Sequence, residues 1–335
     1  MARSRLSIAL EGNAPGLPET GGIVVLNPPA EFDAGPLEPS RLVLEQGFSP
    51  AHQTLARRGF SVTRAADGRF GAALVFLPRA RDLARAMVAR ASALTGGGLV
   101  LVDGQKTDGI VAMAKAIGAR VRLGGSLSKA HGKLVWFTGG DFTDWQARPR
   151  QVGDAALGHF VTRPGVFSAD GPDPASQALA AVLPENLAGQ GADLGAGWGY
   201  LARAILGRPG VTGLDLVEAD AAALACAREN IPDARARFHW DDATRWRPEA
   251  LLDFVITNPP FHTGRTGEPE LGRAFIRAAA AMLLPRGQLW LVANRHLPYE
   301  ATLAQAFRKV GQIEAPRGFK LFCAHGPRPV GRNMR

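Results

Sequence analysis

Short apolar runs alternate with alanine-rich stretches throughout the second half of this sequence. The runs predict strands at Ala192–Leu194, Val211–Val217, Ala236–His239, Phe254–Thr257, Gln288–Val292 and Lys320–Ala324. Two of the stretches between them, Ala219–Asn230 and Leu271–Leu284, are long enough for helices that connect parallel strands. Strands that alternate with helices in this way are typical of an α/β domain with a mainly parallel sheet.

The first half of the sequence resembles the second. Residues 84–102 resemble 272–292, residues 132–137 resemble 319–324, and LVFLP at 74–78 falls beside VITNP at 255–259, at offsets of 181–190 residues. Offsets within so narrow a range favour duplication of one domain. A chain of 335 residues has room for two domains of about 150 residues. We therefore predict two tandem Rossmann-like α/β domains, 1–145 and 146–335, with the boundary in the polar stretch 139–153.

A glycine-rich turn follows the first predicted strand of the second domain. It reads Asp193-Leu-Gly195-Ala-Gly197-Trp-Gly199 and precedes a helix that begins near Tyr200. Glycines allow a tight turn and close approach of a ligand to the backbone, and the helix N-terminus provides amide donors. A dinucleotide site would have a third glycine where Tyr200 stands. An acid two residues before G-x-G-x-G instead resembles the first motif of class I methyltransferases, which bind S-adenosylmethionine.

Two further acids stand where the next two predicted strands end. Glu218 follows the second strand, where a carboxylate can accept hydrogen bonds from both hydroxyls of a ribose. It is favoured over Asp215, which would lie within the strand. Asp242, followed by Ala243, comes after the third strand and resembles the place where such enzymes bind the adenine amine, although a solvated loop or a helix cap would also explain it. The predicted cofactor-binding set is Asp193, Gly195, Ala196, Gly197, Gly199, Glu218, Asp242, Ala243 and Asn258.

The tetrapeptide Asn258-Pro259-Pro260-Phe261 directly follows the fourth predicted strand. Its prolines fix a rigid turn at the strand's carboxyl end, where open α/β sheets bind their ligands. An exocyclic amine is a poor nucleophile because its lone pair is delocalised into its ring. The Asn258 side-chain oxygen and the Pro259 carbonyl can accept its two N–H groups and hold the nitrogen in line with a methyl donor. Phe261 can stack on a flipped base, which contributes about 1–3 kcal/mol. Asn258, Pro259 and Phe261 are therefore the candidate catalytic residues.

The first domain lacks these features. In the repeat alignment Leu77 takes the place of Asn258, and no D-x-G-x-G-x-G motif precedes it. Asn27-Pro28-Pro29 also follows an apolar run, but Ala30 comes next, so an ordinary turn is the preferred interpretation. The first domain is predicted to be a degenerate, catalytically inactive copy.

Several segments of the second domain together resemble the bacterial small-subunit ribosomal RNA (guanine-N2)-methyltransferases. They are Asn258-Pro-Pro-Phe-His262-Thr-Gly264, Pro164-Gly-Val-Phe-Ser168, Asp170-Gly171, Asp173, Ser176-Gln177 and Phe319-Lys320. The resemblance covers residues 160–325 and implies a degenerate first domain that supports the fold and docks RNA. It implies cofactor contacts from Asp193, Gly195, Gly197, Glu218, Asp242 and Asn258, and it implies that Asn258, Pro259 and Phe261 hold the guanine.

The same resemblance implies further substrate contacts. The loop around Phe167 would line the guanine pocket. His262 could contact the base or an RNA phosphate, or serve only as a structural hydrogen-bond partner. Lys320 could contact substrate or carry a solvated charge. Trp198 and Tyr200 depart from the family pattern, because they are bulkier than the residues usually found there.

Charge favours an RNA partner. The first 150 residues hold 19 basic and 12 acidic residues, a balance of +7, against 20 and 18 in the remainder, a balance of +2. Eight arginines lie between Arg57 and Arg90, with only Asp67 and Asp82 as acids. Such a cluster is typical of nucleic-acid binding, although the arginine-rich usage of a GC-rich genome would produce it too.

Other classes of protein are disfavoured. No apolar run approaches the roughly 18 residues of a membrane helix, and the N-terminus lacks a secretory signal. Two cysteines, Cys226 and Cys323, make neither a disulfide framework nor a zinc motif. We expect a cytoplasmic monomer that uses S-adenosylmethionine, binds ribosomal RNA or the small ribosomal subunit, and needs no metal or membrane.

Three other functions stay open. The enzyme could methylate guanine N2 in large-subunit RNA, because that family shares the turn around Asn258. It could methylate a protein glutamine at N5, although such enzymes usually carry Tyr after the prolines and a helical first domain. It could be a non-catalytic RNA-binding assembly factor, against which the intact glycine turn and Asn258 turn argue.

Overall fold

A computed structural model describes residues 4–12, 14–260 and 269–329. The chain divides into two compact units, Met1–Pro149 and Arg150–Arg335, each built around one seven-stranded sheet. Within the described residues no helix combines the length and the apolarity needed to cross a bilayer.

The first unit contains strands β1 to β7 and helices α1 to α4. The strands are Ile23–Leu26, Leu42–Glu45, Val62–Thr63, Ala72–Phe76, Leu99–Gln105, Gly125–Lys129 and Gly132–Phe137. The helices are Arg5–Glu11, Ser49–Arg57, Arg81–Thr95 and Ile110–Gly118. The strand order is β3-β2-β1-β4-β5-β7-β6, and only β7 runs antiparallel to its neighbours.

The second unit begins with a hairpin and then repeats the same plan. The hairpin strands β8 and β9 are Arg150–Asp154 and Gly158–Thr162. Strands β10 to β16 are Gly189–Leu194, Val211–Glu218, Ala236–Trp240, Leu252–Thr257, Leu283–Asn294, Phe307–Ile313 and Phe319–Pro327. Helices α5 to α9 are Pro174–Val182, Tyr200–Leu206, Ala221–Asn230, Pro269–Met282 and Glu300–Ala306. The order β12-β11-β10-β13-β14-β16-β15 corresponds strand for strand to that of the first unit. The predicted pair of tandem α/β domains is thereby confirmed.

Each sheet is covered by helices on both faces, because its parallel strands are apolar on both sides. Phe254 and Ile256 of β13 pack with residues of α5, α6 and α7, whereas Val255 between them packs with α8 and α9. Ala73 and Val75 of β4 likewise pack with α3 and α4, and the alternate residues face α1 and α2. Each fully buried Val, Leu or Ile contributes about 1.5–3 kcal/mol relative to an exposed position.

Helix starts follow the sequence signals that precede them. The side chain of Asp173 accepts a hydrogen bond from the Ser176 amide, and Pro174 occupies the first turn of α5. Asp220 caps α7 in the same way, through the amides of Ala222 and Ala223. These caps fix the helices at the carboxyl edge of the second sheet, where the candidate site lies.

Candidate functional site

Five predicted site residues of the second unit, Phe167, Gly195, Ala196, Gly197 and Asn258, line a cleft where the strand order reverses. β10 and β13 are adjacent parallel strands, with Leu194 paired to Thr257, but their following helices cover opposite faces of the sheet. Such a switch point opens a crevice at the carboxyl edge. A cleft of about 380 Å³, including the solvent at its mouth, occupies this place. It is lined by Phe167, Ser168, Asp173, Ser176, Gly195, Ala196, Gly197, Trp198, Tyr200, Leu201 and Asn258.

The glycine turn has the conformation that its sequence predicts. Gly195, Gly197 and Gly199 have φ angles of +77°, +55° and +92°, in the left-handed region that side chains disfavour. A Cβ on Gly197 would meet no atom within 4 Å. The turn therefore exposes its backbone to open space, which leaves room for a ligand between β10 and α6.

Asp193 is a buried carboxyl group that lacks a partner. It is fully buried in β10, and neither carboxylate oxygen has a hydrogen-bond partner within the described residues. Burial, together with the nearby charge of Glu218, raises its pKa to about 8, and the Ala202 backbone only partly offsets the rise. A buried carboxyl without a partner is costly, so this position fits a cationic or hydrogen-bond-donating ligand.

Glu218 lies at the end of β11, as its spacing predicts. Its carboxylate accepts hydrogen bonds from the amides of Gly197 and Asp220, both at 2.8 Å. Burial raises its pKa, and those two amides oppose the rise. A carboxylate has about four lone-pair sites, so beside these amides and the backbone of Ala219 it can still accept from a ligand hydroxyl.

Asp215 belongs to a different network. It lies within β11 and accepts hydrogen bonds from Arg237 at 2.8 Å and His239 at 2.7 Å. Burial opposes ionisation, but these hydrogen bonds and charges keep its pKa below the usual value. Asp215 is thus an internal ion-pair partner in the strand.

Asp242 and Ala243 form a turn after β12. One Asp242 carboxylate oxygen accepts from the Thr244 amide at 2.9 Å and from its hydroxyl at 2.6 Å, and the Ala243 side chain is buried. One oxygen of Asp242 is therefore occupied by local turn bonds. The adenine contact stays a prediction for the other oxygen and the backbone.

The amide of Asn258 is held in one orientation. Its Nδ2 donates to the Asp173 carboxylate at 2.8 Å and to the Ser176 hydroxyl at 2.9 Å. A carboxylate can only accept, so the NH₂ group must face Asp173 and the amide oxygen must face away. That oxygen, Oδ1, is buried and has no partner within the described residues. The arrangement leaves one free acceptor in the cleft.

The support that Asp173 and Ser176 give to Asn258 is not visible in the sequence pattern. In that pattern the two residues are part of a family resemblance only, and neither is a predicted site residue. The contact spans 85 positions, so local patterns do not reveal it. The Asp-Pro-x-Ser signal predicts only that a helix begins there.

The remaining predicted substrate residues have mixed placements. Phe167 is 59% exposed, and its carbonyl accepts from the Trp198 indole at 2.9 Å. Trp198 itself packs on Phe160, with ring centroids 4.9 Å apart, so its bulk is accommodated in the core. Pro259 is buried directly after Asn258. Phe261 and His262 lie outside the described residues.

Lys320 is engaged within the fold. Its ammonium pairs with Glu300 and donates to the Leu297 carbonyl at 3.2 Å. Its side chain is only 16% exposed. These bonds give Lys320 a structural role, and a contact with substrate stays a prediction.

The equivalent edge of the first unit is closed. Gln46 corresponds to Glu218, because its Oε1 accepts from the amide two residues later, Phe48, at 2.8 Å. The Gln46 side-chain amide donates to the Pro28 carbonyl at 2.7 Å. At the corresponding position of the second unit, Glu218 instead accepts from the Gly197 amide. Leu77, buried, stands at the end of β4 as Asn258 does at the end of β13. The carboxylate and amide acceptors of the second site are thus replaced.

Asn27-Pro28-Pro29 forms the turn that corresponds to the glycine turn. Asn27 takes φ of +56° after β1, and its side chain donates to the Phe76 carbonyl at 3.0 Å. Prolines fill the place where Gly197 leaves open space in the second unit. This turn is therefore structural, in agreement with its predicted ordinary role.

Comparison with known proteins identifies relatives of the second unit and of the whole chain. Residues 158–323 match the family model described as "Methyltransferase small domain". Ribosomal RNA large subunit methyltransferase G of Ectopseudomonas mendocina is 38% identical over 162 residues, which cover 47% of this chain and 43% of that protein. Ribosomal RNA small subunit methyltransferase C of Shewanella amazonensis is 28% identical over 270 residues, which cover 76% of this chain and 77% of that protein.

One solved structure matches nearly the full length. It is a 16S rRNA N2 G1207 methyltransferase of T. thermophilus, in complex with AdoMet and guanosine, at 24% identity. The TM-score is 0.77, and the match covers 97% of this chain and 92% of that one. The two-domain fold is therefore shared with a solved protein over almost the entire chain.

Proposed function

We propose that this protein, whose residues 158–323 match the methyltransferase small domain family, methylates the exocyclic N2 amine of a guanine in small-subunit ribosomal RNA, with S-adenosylmethionine as methyl donor. The orientation of Asn258 carries the proposal. Its unpartnered Oδ1 is an acceptor held toward the cleft by Asp173 and Ser176. An exocyclic amine has two N–H groups that need acceptors. A hydroxyl nucleophile has one O–H group, and a carboxylate has none.

The residues of the cleft fit the proposed cofactor. Beside the cleft, Asp193 is a buried carboxyl without a hydrogen-bond partner among the described residues, and Glu218 can still accept from a ligand. The space beside Gly197 admits a ligand to the backbone. Asp193 and the turn amides would hold the charged amino-acid end, and Glu218 would accept the ribose hydroxyls. When bound, S-adenosylmethionine supplies a methyl group attached to a positively charged sulfur.

The protein's part in the reaction is to position the amine. Asn258 Oδ1 and the Pro259 carbonyl accept the two N–H groups of guanine N2, which directs its lone pair at the methyl carbon. The bound cofactor would supply the methyl group and keep the electron pair of the broken S–C bond on its sulfur, and the nitrogen would release one proton to solvent. Phe167, exposed beside the cleft, offers a face on which the flipped base can stack.

Several observations support small-subunit RNA over the alternatives. The small-subunit relative matches across both domains, whereas the large-subunit relative matches over less than half of either chain. Large-subunit RNA stays the second candidate, because that relative has the higher identity over its matched residues. A protein glutamine is disfavoured, because the first unit is a methyltransferase-like copy and not a helical domain. The partner RNA, a monomeric state and a cytoplasmic location are parts of this proposal.

The Asn258→Ala variant tests the proposal. We expect methyl transfer to small-subunit RNA to be abolished in a single-turnover assay, with S-adenosylmethionine affinity within about tenfold of the wild type. The amide acts mainly in the transition state, so cofactor binding depends little on it. Near-normal transfer by the variant would overturn the assignment.

A further inference from the structure

A second cleft opens at the carboxyl edge of the first sheet. It measures about 710 Å³, including the solvent at its mouth, and lies between the N-terminal ends of α3 and α4. Arg79, Arg81 and Arg85 line one wall, whereas Ala112, Met113 and Ala116 of α4 line the other. Three cations therefore face a low-polarity wall, which strengthens their attraction for an anion.

The three guanidinium groups have only weak partners within the fold, namely two long ion pairs and one aromatic contact. Within the described residues, none of them takes part in a hydrogen bond; the nearest carboxylates are Asp108, 3.6 Å from Arg79, and Asp82, 3.8 Å from Arg81. The Arg85 guanidinium lies 5.4 Å from the centroid of the Trp145 ring, and this stacking leaves its N–H edge available. Three arginines against two acids leave the cleft positive.

Other arginines of the basic stretch are committed to the fold. Arg90 binds the Glu45 carboxylate and the Ala66 carbonyl, both at 2.7 Å. Arg58 donates to the Ala30 carbonyl at 2.7 Å, and Arg57 donates to Gln53 of its own helix at 3.1 Å. Arg57, Arg58 and Arg90 thus have hydrogen-bond partners within the fold, whereas the three cleft arginines have only weaker contacts.

The backbone adds to the same attraction. Neither the N-cap residue of α3, Ala80, nor that of α4, Gly109, provides a side-chain cap. The first amides of both helices therefore lack the capping bond that an Asp or Ser would supply, and the helix dipoles add positive potential. Because the arginines and these amides converge, the cleft suits an oxyanion.

We infer that this cleft binds phosphodiester groups of the RNA substrate. The inference rests on the proposed function for the identity of the anion, and it assigns docking to three residues that take no part in catalysis. Arginine forks and helix N-termini contact phosphates without reading sequence, so the cleft would set affinity and orientation. A phosphate contact also makes binding depend on salt.

The test is the salt dependence of binding to transcribed small-subunit RNA by the triple variant Arg79→Gln, Arg81→Gln and Arg85→Gln. Losing three phosphate contacts should reduce the magnitude of the log–log slope by roughly two to three units. At saturating RNA, kcat should stay within about twofold while KM rises. The matched control is Arg57→Gln, Arg58→Gln and Arg64→Gln, which removes equal charge from α2 and the segment after it, and should change the slope little.

Three outcomes would overturn the inference. The first is an unchanged salt slope in the cleft variant, and the second is an equal change of slope in both variants. The third is a rise in Tm with inorganic phosphate that the cleft variant loses, while its slope for RNA binding stays that of the wild type. S-adenosylmethionine affinity should be equal in all three proteins, which checks that the second unit is intact. If the wild type transfers no methyl group to this RNA, the proposed function fails, and the slopes still decide whether the cleft binds RNA.

Discussion

At the scale of single residues, the reactivity of the site depends on which way one amide faces. Asn258 could present either an acceptor or a donor to the cleft, and the Asp173 carboxylate decides in favour of the acceptor. Asp173 therefore acts through Asn258 as a positioning residue. It also caps α5, so its two roles have to be separated by the choice of variant.

We predict that Asp173→Ser lowers kcat about tenfold to a hundredfold with little change in KM or cofactor affinity. Serine preserves the helix cap but is too short to hold Asn258. Asp173→Asn is the matched control, since its amide oxygen can still accept, and it should retain most of the activity. Rates under saturating substrate distinguish the variants, and equal losses in both would contradict the positioning role.

The sequence located the proposed ligand-binding residues better than the residues that support them. Asn258 and Glu218 follow strands and carry motif residues, so local pattern located them. The contact of Asn258 with Ser176 and Asp173 joins distant segments, and only the folded chain brings them together. Phe261 and His262 lie outside the described residues, so their contacts stay predictions.

At the scale of elements, two adjacent strands end in carboxyl groups with raised pKa values. Asp193 of β10 and Glu218 of β11 are both affected by burial, and the charge of Glu218 adds to the rise at Asp193. The cofactor-free site therefore carries an electrostatic cost. A cationic ligand would relieve it, which links cofactor binding to the stability of this sheet edge.

We predict that Asp193→Asn stabilises the cofactor-free protein increasingly as pH rises. The pKa of this group is raised from 3.8 to about 8 in the folded protein. The unfolded chain ionises at a lower pH than the folded protein. The free energy of unfolding of the wild type therefore falls between about pH 4 and pH 8 and stays level above pH 8. Thermal unfolding of both proteins from pH 5 to pH 9 measures the difference.

Asp215→Asn provides the control of opposite sign. The pKa of Asp215 is lowered in the folded state, so this carboxylate contributes stability above the unfolded pKa and loses it as pH falls below. Its replacement should lower Tm at neutral pH. A pH-independent gain for Asp193→Asn would contradict the account of the buried carboxyl. That variant should also lose S-adenosylmethionine binding.

Strand prediction succeeded where strands are apolar on both faces. All six predicted strands of the second sheet are present, and both predicted helices agree within a few residues. β15 is not predicted because Arg308, Lys309 and Gln312 are exposed and few of its residues are apolar. The hairpin of β8 and β9 is not predicted for a similar reason, since half of its strand residues are exposed.

At the scale of the whole molecule, duplication has produced two units with one topology and different edges. The second edge keeps open space, a carboxylate and an amide acceptor. The first edge has Gln46 bonded to Pro28 and Leu77 buried, and its neighbouring cleft is lined by arginines. The sequence indicates the duplication. It does not indicate that Gln46 corresponds to Glu218, because no sequence motif marks Gln46.

We predict that one S-adenosylmethionine binds per chain. Gln46 cannot supply the carboxylate that the ribose hydroxyls require, and the Asn27-Pro28-Pro29 turn lacks the glycines of the second unit. Titration calorimetry of the full chain gives the stoichiometry. Two sites of similar affinity would show that the first unit has kept its cofactor cleft, whereas Asp193→Asn should abolish all binding if the account is right.

The most direct measurement follows the methyl group itself. The full chain is incubated with small-subunit RNA and S-adenosylmethionine labelled in its methyl group, and the RNA is digested to nucleosides. The account predicts that the label appears in N2-methylguanosine with the wild type and is absent with Asn258→Ala. Label in a different nucleoside, or in N2-methylguanosine at an equal rate with Asn258→Ala, would contradict it.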